Sequence, residues 1–164
     1  MLKLLFLCMG NICRSPAAQA IMQHMVDECG LRDEFVIDSA GTIDYHEGEL
    51  PDYRMLAALR RHGYSSSHRS RPFDPARDFA GFDLIVAMDA ANARWLASHC
   101  PDEEYAKRVI MMGDYLTDKH RGRVFTVVPD PYYGTADDFE LTIELLEDAC
   151  ASLLSAILNK EVLK

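Results

Sequence analysis

The sequence predicts an α/β fold: a single domain with a four-stranded parallel twisted sheet and helices on both faces. Three observations predict it. Strand-like apolar runs alternate with helical patterns along the chain, which implies right-handed crossovers and a parallel sheet. The first run, Lys3–Leu7, is almost continuously apolar, as in a strand covered on both faces. The length of 164 residues suits one domain with a sizeable core.

Each element has its own signal. Lys3–Leu7 is the first strand. Pro16 to Cys29 reads as a helix, with Ser15 as N-cap, Pro16 at its first position and Gly30 just past its end. Its apolar positions Ala18, Met22, Met25 and Cys29 keep helical spacing. Glu34–Asp38 is the second strand. Asp52 to His62 is a helix ended by Gly63. Leu84–Ala87 is the third strand, Ala90–Ser98 the next helix, and Arg108–Met112 the fourth strand. Phe139 to Leu158 is a long amphipathic helix, with Phe139, Ile143, Leu146, Cys150, Leu153 and Ile157 on one stripe. The segment 113–134 has little periodicity and is long for a plain connector, which points to function. No repeat or low-complexity run divides the chain, so residues 1–164 are read as one domain.

Composition narrows the function classes. The 17 Lys and Arg against 26 Asp and Glu give a net charge of −9. That sign argues against a nucleic-acid partner, because phosphate backbones are gripped by many cations. An anionic substrate then needs a local basic site. No stretch approaches a membrane span, so no membrane partner is expected. The apolar start, Met1–Cys8, is too short for a signal peptide and lacks a small-residue cleavage site. The five cysteines (8, 13, 29, 100 and 150) are odd in number and show no CxxC pairing. This disfavours a disulfide framework and a structural zinc site, and makes a cytoplasmic location the expectation.

One segment carries chemistry: Cys8-Met9-Gly10-Asn11-Ile12-Cys13-Arg14-Ser15-Pro16, at a strand-to-helix junction. A helix start offers unpaired N–H groups and partial positive charge, a natural anion site. Gly10 permits a positive φ, and Asn11 tolerates one. Such a loop aims successive N–H groups inward as a nest. Arg14 adds a two-pronged donor suited to two phosphate oxygens. Cys8 would then lie beneath the phosphorus. A free thiol with a pKa of about 8.5 is only about 3% thiolate at pH 7, so the positive surroundings matter to a nucleophile. Ser15 either donates its hydroxyl proton to the sulfur or serves only as the helix cap. A bare Cys-x5-Arg spacing is weak evidence. The added Gly10, Asn11, Ser15 and Pro16 at this junction make it much stronger. No GxGxxG or GxxxxGK pattern supports nucleotide binding.

Leu7 to Pro16 is similar to the signature loop of the low-molecular-weight protein tyrosine phosphatases. Further matches occur in family order: Ser39-Ala40-Gly41-Thr42, His46 with Gly48, Pro51-Asp52, His68 with Arg71, Met88-Asp89 with Asn92, and Asp130-Pro131-Tyr132-Tyr133. The resemblance covers nearly the whole chain. It implies a Rossmann-like fold of the phosphotyrosine phosphatase I type. It implies a protein-tyrosine-phosphatase that hydrolyses phosphotyrosine and aryl phosphates through a phosphocysteine on Cys8, without metal or cofactor. Its partners would be a phosphotyrosine-containing protein or peptide and inorganic phosphate. Met9 to Ser15 would bind the phosphate.

A phenolate leaves poorly unless protonated, so a general acid is needed. On its residues alone, Asp130 between two prolines is either that acid or a surface turn. The resemblance assigns it as the acid. An ordinary Asp is only about 0.1% protonated at pH 7, which makes a mildly acidic optimum an expectation. Tyr132, Tyr133 and Tyr45 are either partly packed in the core or walls of an aromatic slot, with Met9 at its mouth; the resemblance favours the slot. The family often carries Trp at the position of Tyr45. Ser39 and His68 resemble the family's partners of Asn11, the alternatives being an N-cap for Ser39 and a surface position for His68. Asp89 reads as a helix cap. His24, His62, His99 and His120 read as surface. Cys13 is either inert filler or, as the resemblance implies, a disulfide partner that spares Cys8 from higher oxidation.

Three rivals differ in chemistry. A thiol-based arsenate reductase needs further cysteines near the third strand, where this chain has Val86-Ala87-Met88-Asp89 and only Cys100 beyond. A protein-arginine phosphatase of the same family tends to carry Thr at the position of Ile12. A non-catalytic phosphate-binding module needs neither Cys8 nor Asp130.

Overall fold

Apolar residues on both sides of the first strand place it in the middle of the sheet. The computed structural model describes residues 1–120 and 125–162. Strand β1 (Leu2–Cys8) buries Leu4, Leu5, Phe6 and Leu7 completely. Leu4, Phe6 and Cys8 join one apolar cluster, and Leu5 and Leu7 the other. β2 (Phe35–Gly41), β3 (Leu84–Ala87) and β4 (Val109–Met111) complete a parallel sheet in the order β2-β1-β3-β4. The predicted fold class is the observed one.

The crossover helices pack on both faces. α1 (Arg14–Glu28), α2 (Tyr53–Arg61) and α6 (Ala136–Leu158) cover the Leu4 and Phe6 side. The short α3 (Asp78–Gly81) and α4 (Ala90–His99) cover the Leu5 and Leu7 side, and Tyr105 of the short α5 (Glu103–Ala106) packs there too. Burying a Leu or Phe side chain contributes roughly 1.5–3 kcal/mol, so the sheet stays fixed while its ends carry loops.

Several elements differ from the sequence reading, and for the helices the reasons are physical. α1 starts at Arg14 with Cys13 in the N-cap position, so Ser15 is not the cap. Pro16 still fits, because first-turn N–H groups have no partner within the helix. The buried face of α1 runs through Ala17, Ala18, Ile21, Met22 and Val26, and Cys29 is exposed. Gly30 closes the helix at φ 70°, with Gly30 N donating to Asp27 O and Leu31 N to Val26 O, a Schellman end. α6 starts a turn earlier than its apolar stripe, because Thr135 and Asp138 form a capping box. α3 and α5 have only four residues each, too short for a periodic signal. Residues 121–124 of the long unpatterned segment, and residues 163–164 of the predicted single domain, lie outside the described residues. No helix among the described residues is long and apolar enough to cross a membrane.

Cys8 pairs with Gly41, and Leu7 lies beside both Ala40 and Ala87. The carboxyl ends of β1, β2 and β3 therefore open at one rim, where open parallel sheets hold their ligands.

Candidate active site

The loop from Cys8 to Arg14 is held from outside by its carbonyls. Cys8 O accepts from Thr42 N at 3.0 Å, Met9 O from Ile43 N at 3.1 Å, and Ile12 O from Asp52 N at 2.8 Å. Gly10 O accepts from Ser70 Oγ at 3.1 Å. In a planar trans peptide the following N–H points the opposite way. The N–H groups of Met9, Gly10, Asn11 and Cys13 therefore face away from these flanking segments, the orientation that an anion in the loop requires. The positive φ of the loop falls on Asn11, at 55°, and not on Gly10. Gly10 is small for another reason: a Cβ there would lie 3.3 Å from His46 Cδ2.

Asn11 is 1% exposed and uses its amide in four directions. The backbone N–H of Arg71 donates to Oδ1 at 3.0 Å, which fixes the orientation of the amide. His68 Nε2, 2.8 Å from the same oxygen, must then be the donor. Burial, with Arg71 beside it, outweighs Asp38 and holds the His68 pKa below its ordinary value, in keeping with a neutral Nε2–H ring. Asn11 Nδ2 donates to Ser39 Oγ at 3.0 Å and to Ser15 Oγ at 2.8 Å. Ser39 Oγ donates in turn to Gln19 Oε1 at 2.6 Å. Ser15 Oγ lies 3.0 Å from Cys8 Sγ and donates to Ala40 O at 3.4 Å, so the sulfur and this carbonyl are both within reach of its hydroxyl. Of the two readings of Ser15, the structure brings it to the sulfur. Ser39 and His68 both meet Asn11, and neither is a cap or a surface group.

Arg14 is 2% exposed. Its Nη1 donates to Asp89 Oδ2 at 2.6 Å and to Val128 O at 3.1 Å. Its Nη2 lies 3.6 Å from Asp130 Oδ2. Its buried Nε has no hydrogen-bond partner among the described residues. An orphaned buried donor costs about 1–3 kcal/mol, which an oxyanion bonded there would remove. Asp89 caps α4 through Asn92 N at 2.9 Å, as expected, and also orients Arg14. Burial raises the Asp89 carboxyl, but the Arg14 hydrogen bond and charge and the Asn92 N–H outweigh it, and its pKa lies below the usual carboxylate range.

A cleft of about 320 Å³ opens over these groups, lined by Cys8, Gly10, Ile12, Cys13 and Arg14 on its floor and by Met9, Tyr45, Asp130, Tyr132 and Tyr133 around it. Met9 is half exposed at the mouth, Tyr45 is 79% exposed and Tyr133 96%. The Tyr132 and Tyr133 rings meet edge to face at 4.9 Å. Cys13 is buried and free; burial, then Asp52 and Cys8, push its thiol well up. His46 and Ile43 line the same cleft. Arg54 was not legible as a site residue, though it follows the Pro51-Asp52 match by two positions. Ser70 and Gln19 were equally silent, since each acts through a fold-made contact. Of the histidines read as surface, His62 is partly buried between Glu140 and Glu147, and His120 is partly buried as well. No group of three or more His, Cys, Asp and Glu among the described residues is placed to hold a metal ion.

The model of the low molecular weight phosphotyrosine protein phosphatases matches residues 3–164. The chain belongs to that family. A low molecular weight protein-tyrosine-phosphatase of Streptomyces coelicolor is 42% identical, over 93% of this chain and 91% of its own. Among solved structures, a protein tyrosine phosphatase of Entamoeba histolytica with Hepes in its active site superposes with a TM-score of 0.91 at 42% identity, covering 98% of this chain and 99% of that one. A Drosophila arginine phosphatase superposes with a TM-score of 0.83 at 31% identity, covering 95% and 98%. This low molecular weight phosphatase is thus an enzyme of a cysteine-based phosphatase family.

Proposed function

We propose that the protein hydrolyses phosphotyrosine and aryl phosphate monoesters with Cys8 as nucleophile and Asp130 as general acid and base. The observation that carries this is the shared cleft: Cys8 Sγ beside Ser15 Oγ on the floor, with Arg14 Nη2 3.6 Å from Asp130 above it. The phosphate sits on the loop N–H groups and on Arg14 Nε and Nη2. Cys8 sulfur attacks the phosphorus, the bond to the leaving oxygen breaks, and Asp130 gives that oxygen its proton. Asp130, now a carboxylate, takes a proton from water. That water attacks the phosphorus and the S–P bond breaks, returning the thiolate, which accepts a hydrogen bond from Ser15. Arg14 and the loop N–H groups stabilise the equatorial oxygens in both steps. No metal ion or cofactor enters. Residues 1–164 act as one domain, and a cytoplasmic setting, where thiols stay reduced, suits a free Cys8 and Cys13.

Aromatic walls favour phosphotyrosine over phosphoserine, whose shorter side chain leaves the phosphate above the floor. The buried apolar Ile12 on the floor supports an aryl ester over phosphoarginine. Matched phosphotyrosine, phosphoserine and phosphoarginine peptides test this, with Cys8→Ser as blank. Turnover of the phosphotyrosine peptide alone is expected. Preferred turnover of phosphoarginine would instead make the protein an arginine phosphatase, and binding without turnover would make it a phosphate-binding module.

A further inference from the structure

We propose that Arg54 is a positioning residue that sets the general acid over the phosphate loop. This rests on the role proposed above for Asp130. Tyr132 links the two residues. Its N–H donates to Asp130 Oδ1 at 3.1 Å, and its carbonyl accepts from Arg54 Nη2 at 2.9 Å. Arg54 is clamped in turn by Asp52, with Nε 3.1 Å from Oδ1 and Nη2 2.9 Å from Oδ2. The Asp52 backbone N–H donates to Ile12 O, inside the phosphate loop, at 2.8 Å. An unbroken series of bonds therefore joins the loop that holds the phosphate to the residue that holds the acid.

Cation–π contacts help keep the guanidinium in place. Its Cζ lies 4.7 Å from the centre of the Phe139 ring and 5.5 Å from that of Tyr132. Asp130 needs this anchor because its side chain is 42% exposed. On the upstream side the acid segment is tied by Val128, whose N–H donates to Met88 O and whose carbonyl accepts from Arg14. On the downstream side the tie at Tyr132 is to Arg54. A general acid acts only within about 2.6–3.2 Å of the oxygen it protonates, so slack of an ångström at Tyr132 is costly. Lysine cannot replace the fork, since one ammonium cannot hold both the carboxylate and the Tyr132 carbonyl in this plane.

The test compares kcat/KM for phenyl phosphate, a poor leaving group, and p-nitrophenyl phosphate, a good one. The proteins are wild type, Arg54→Met, Arg54→Lys, Asp130→Ala and the Arg54→Met/Asp130→Ala double variant. Arg54→Met is expected to lower phenyl phosphate turnover about tenfold, a part of the roughly 10²–10⁴ that a placed acid supplies, and p-nitrophenyl phosphate far less. Arg54→Lys falls between, and in the Asp130→Ala background Arg54→Met adds no loss on phenyl phosphate. Equal losses on both substrates, or losses that multiply in the double variant, overturn the proposal. Should Arg54→Met fail to fold by thermal melting, Arg54→Lys decides by the same comparison. If Asp130→Ala itself slows both substrates equally, the acid role fails and this inference with it. If Asp130→Ala is selective and Arg54→Met is not, this inference alone fails.

Discussion

Ser15 Oγ stands 3.0 Å from Cys8 Sγ and accepts a hydrogen bond from Asn11 Nδ2 at 2.8 Å. In the proposed mechanism this hydroxyl donates to the sulfur as the sulfur leaves phosphorus. A hydrogen bond to a charged group contributes about 1.5–3 kcal/mol, so Ser15→Ala should slow phosphoenzyme breakdown roughly 10- to 100-fold. Rapid-mixing kinetics with p-nitrophenyl phosphate should show a burst of nitrophenol followed by a slow steady state. A slower burst with no change in the steady state would place Ser15 in the first step instead.

Asn11 joins a left-handed backbone to four hydrogen bonds, and two substitutions separate these roles. Asn11→Gly keeps the backbone and loses the bonds; Asn11→Ala loses both. Both should lose most activity, and urea unfolding should find the glycine variant more stable by about 1 kcal/mol, the cost of a left-handed residue with a Cβ. Equal stability would mean that φ at Asn11 is not under strain.

Gly41 lies against the back of the phosphate loop, where a Cβ would come within 2.7 Å of Met9 O and 3.2 Å of Asn11 N. Backbone cannot yield as a side-chain tip can. Gly41→Ala should destabilise by about 1–3 kcal/mol and weaken inhibition by inorganic phosphate together. A stability loss with unaltered phosphate inhibition would show that the loop does not feel the displacement.

The predicted loop was legible because its chemistry is contiguous: a strand, a turn, an arginine and a helix within nine residues. The strands and long helices were legible because burial repeats at a fixed period. Arg54, Ser70 and Gln19 were not, because each is an ordinary polar residue until the fold sets it against Tyr132, Gly10 or Ser39. Ser15 was misplaced as a cap for a related reason. Its type and position suited a helix start, and only the folded loop sets its oxygen beside Cys8 Sγ and Asn11 Nδ2.

The Arg14–Asp89 pair predicts a pH dependence of stability. The folded Asp89 carboxyl is depressed below its unfolded value, so its contribution is full above the unfolded pKa and is lost as pH falls through the folded one. Melting temperatures of wild type and Asp89→Asn should therefore differ by a constant amount above about pH 5 and converge as pH falls below about 4, the ordinary Asp range. A gap that persists unchanged to lower pH would assign it to packing and not to charge.

The most direct test of the account is to trap the phosphoenzyme. Asp130→Ala protein, quenched in acid during turnover of p-nitrophenyl phosphate and digested, should carry one phosphoryl group on the peptide containing Cys8. The Cys8→Ser protein should carry none and should not turn over. A phosphoryl group on another residue, or turnover that survives Cys8→Ser, would contradict the account.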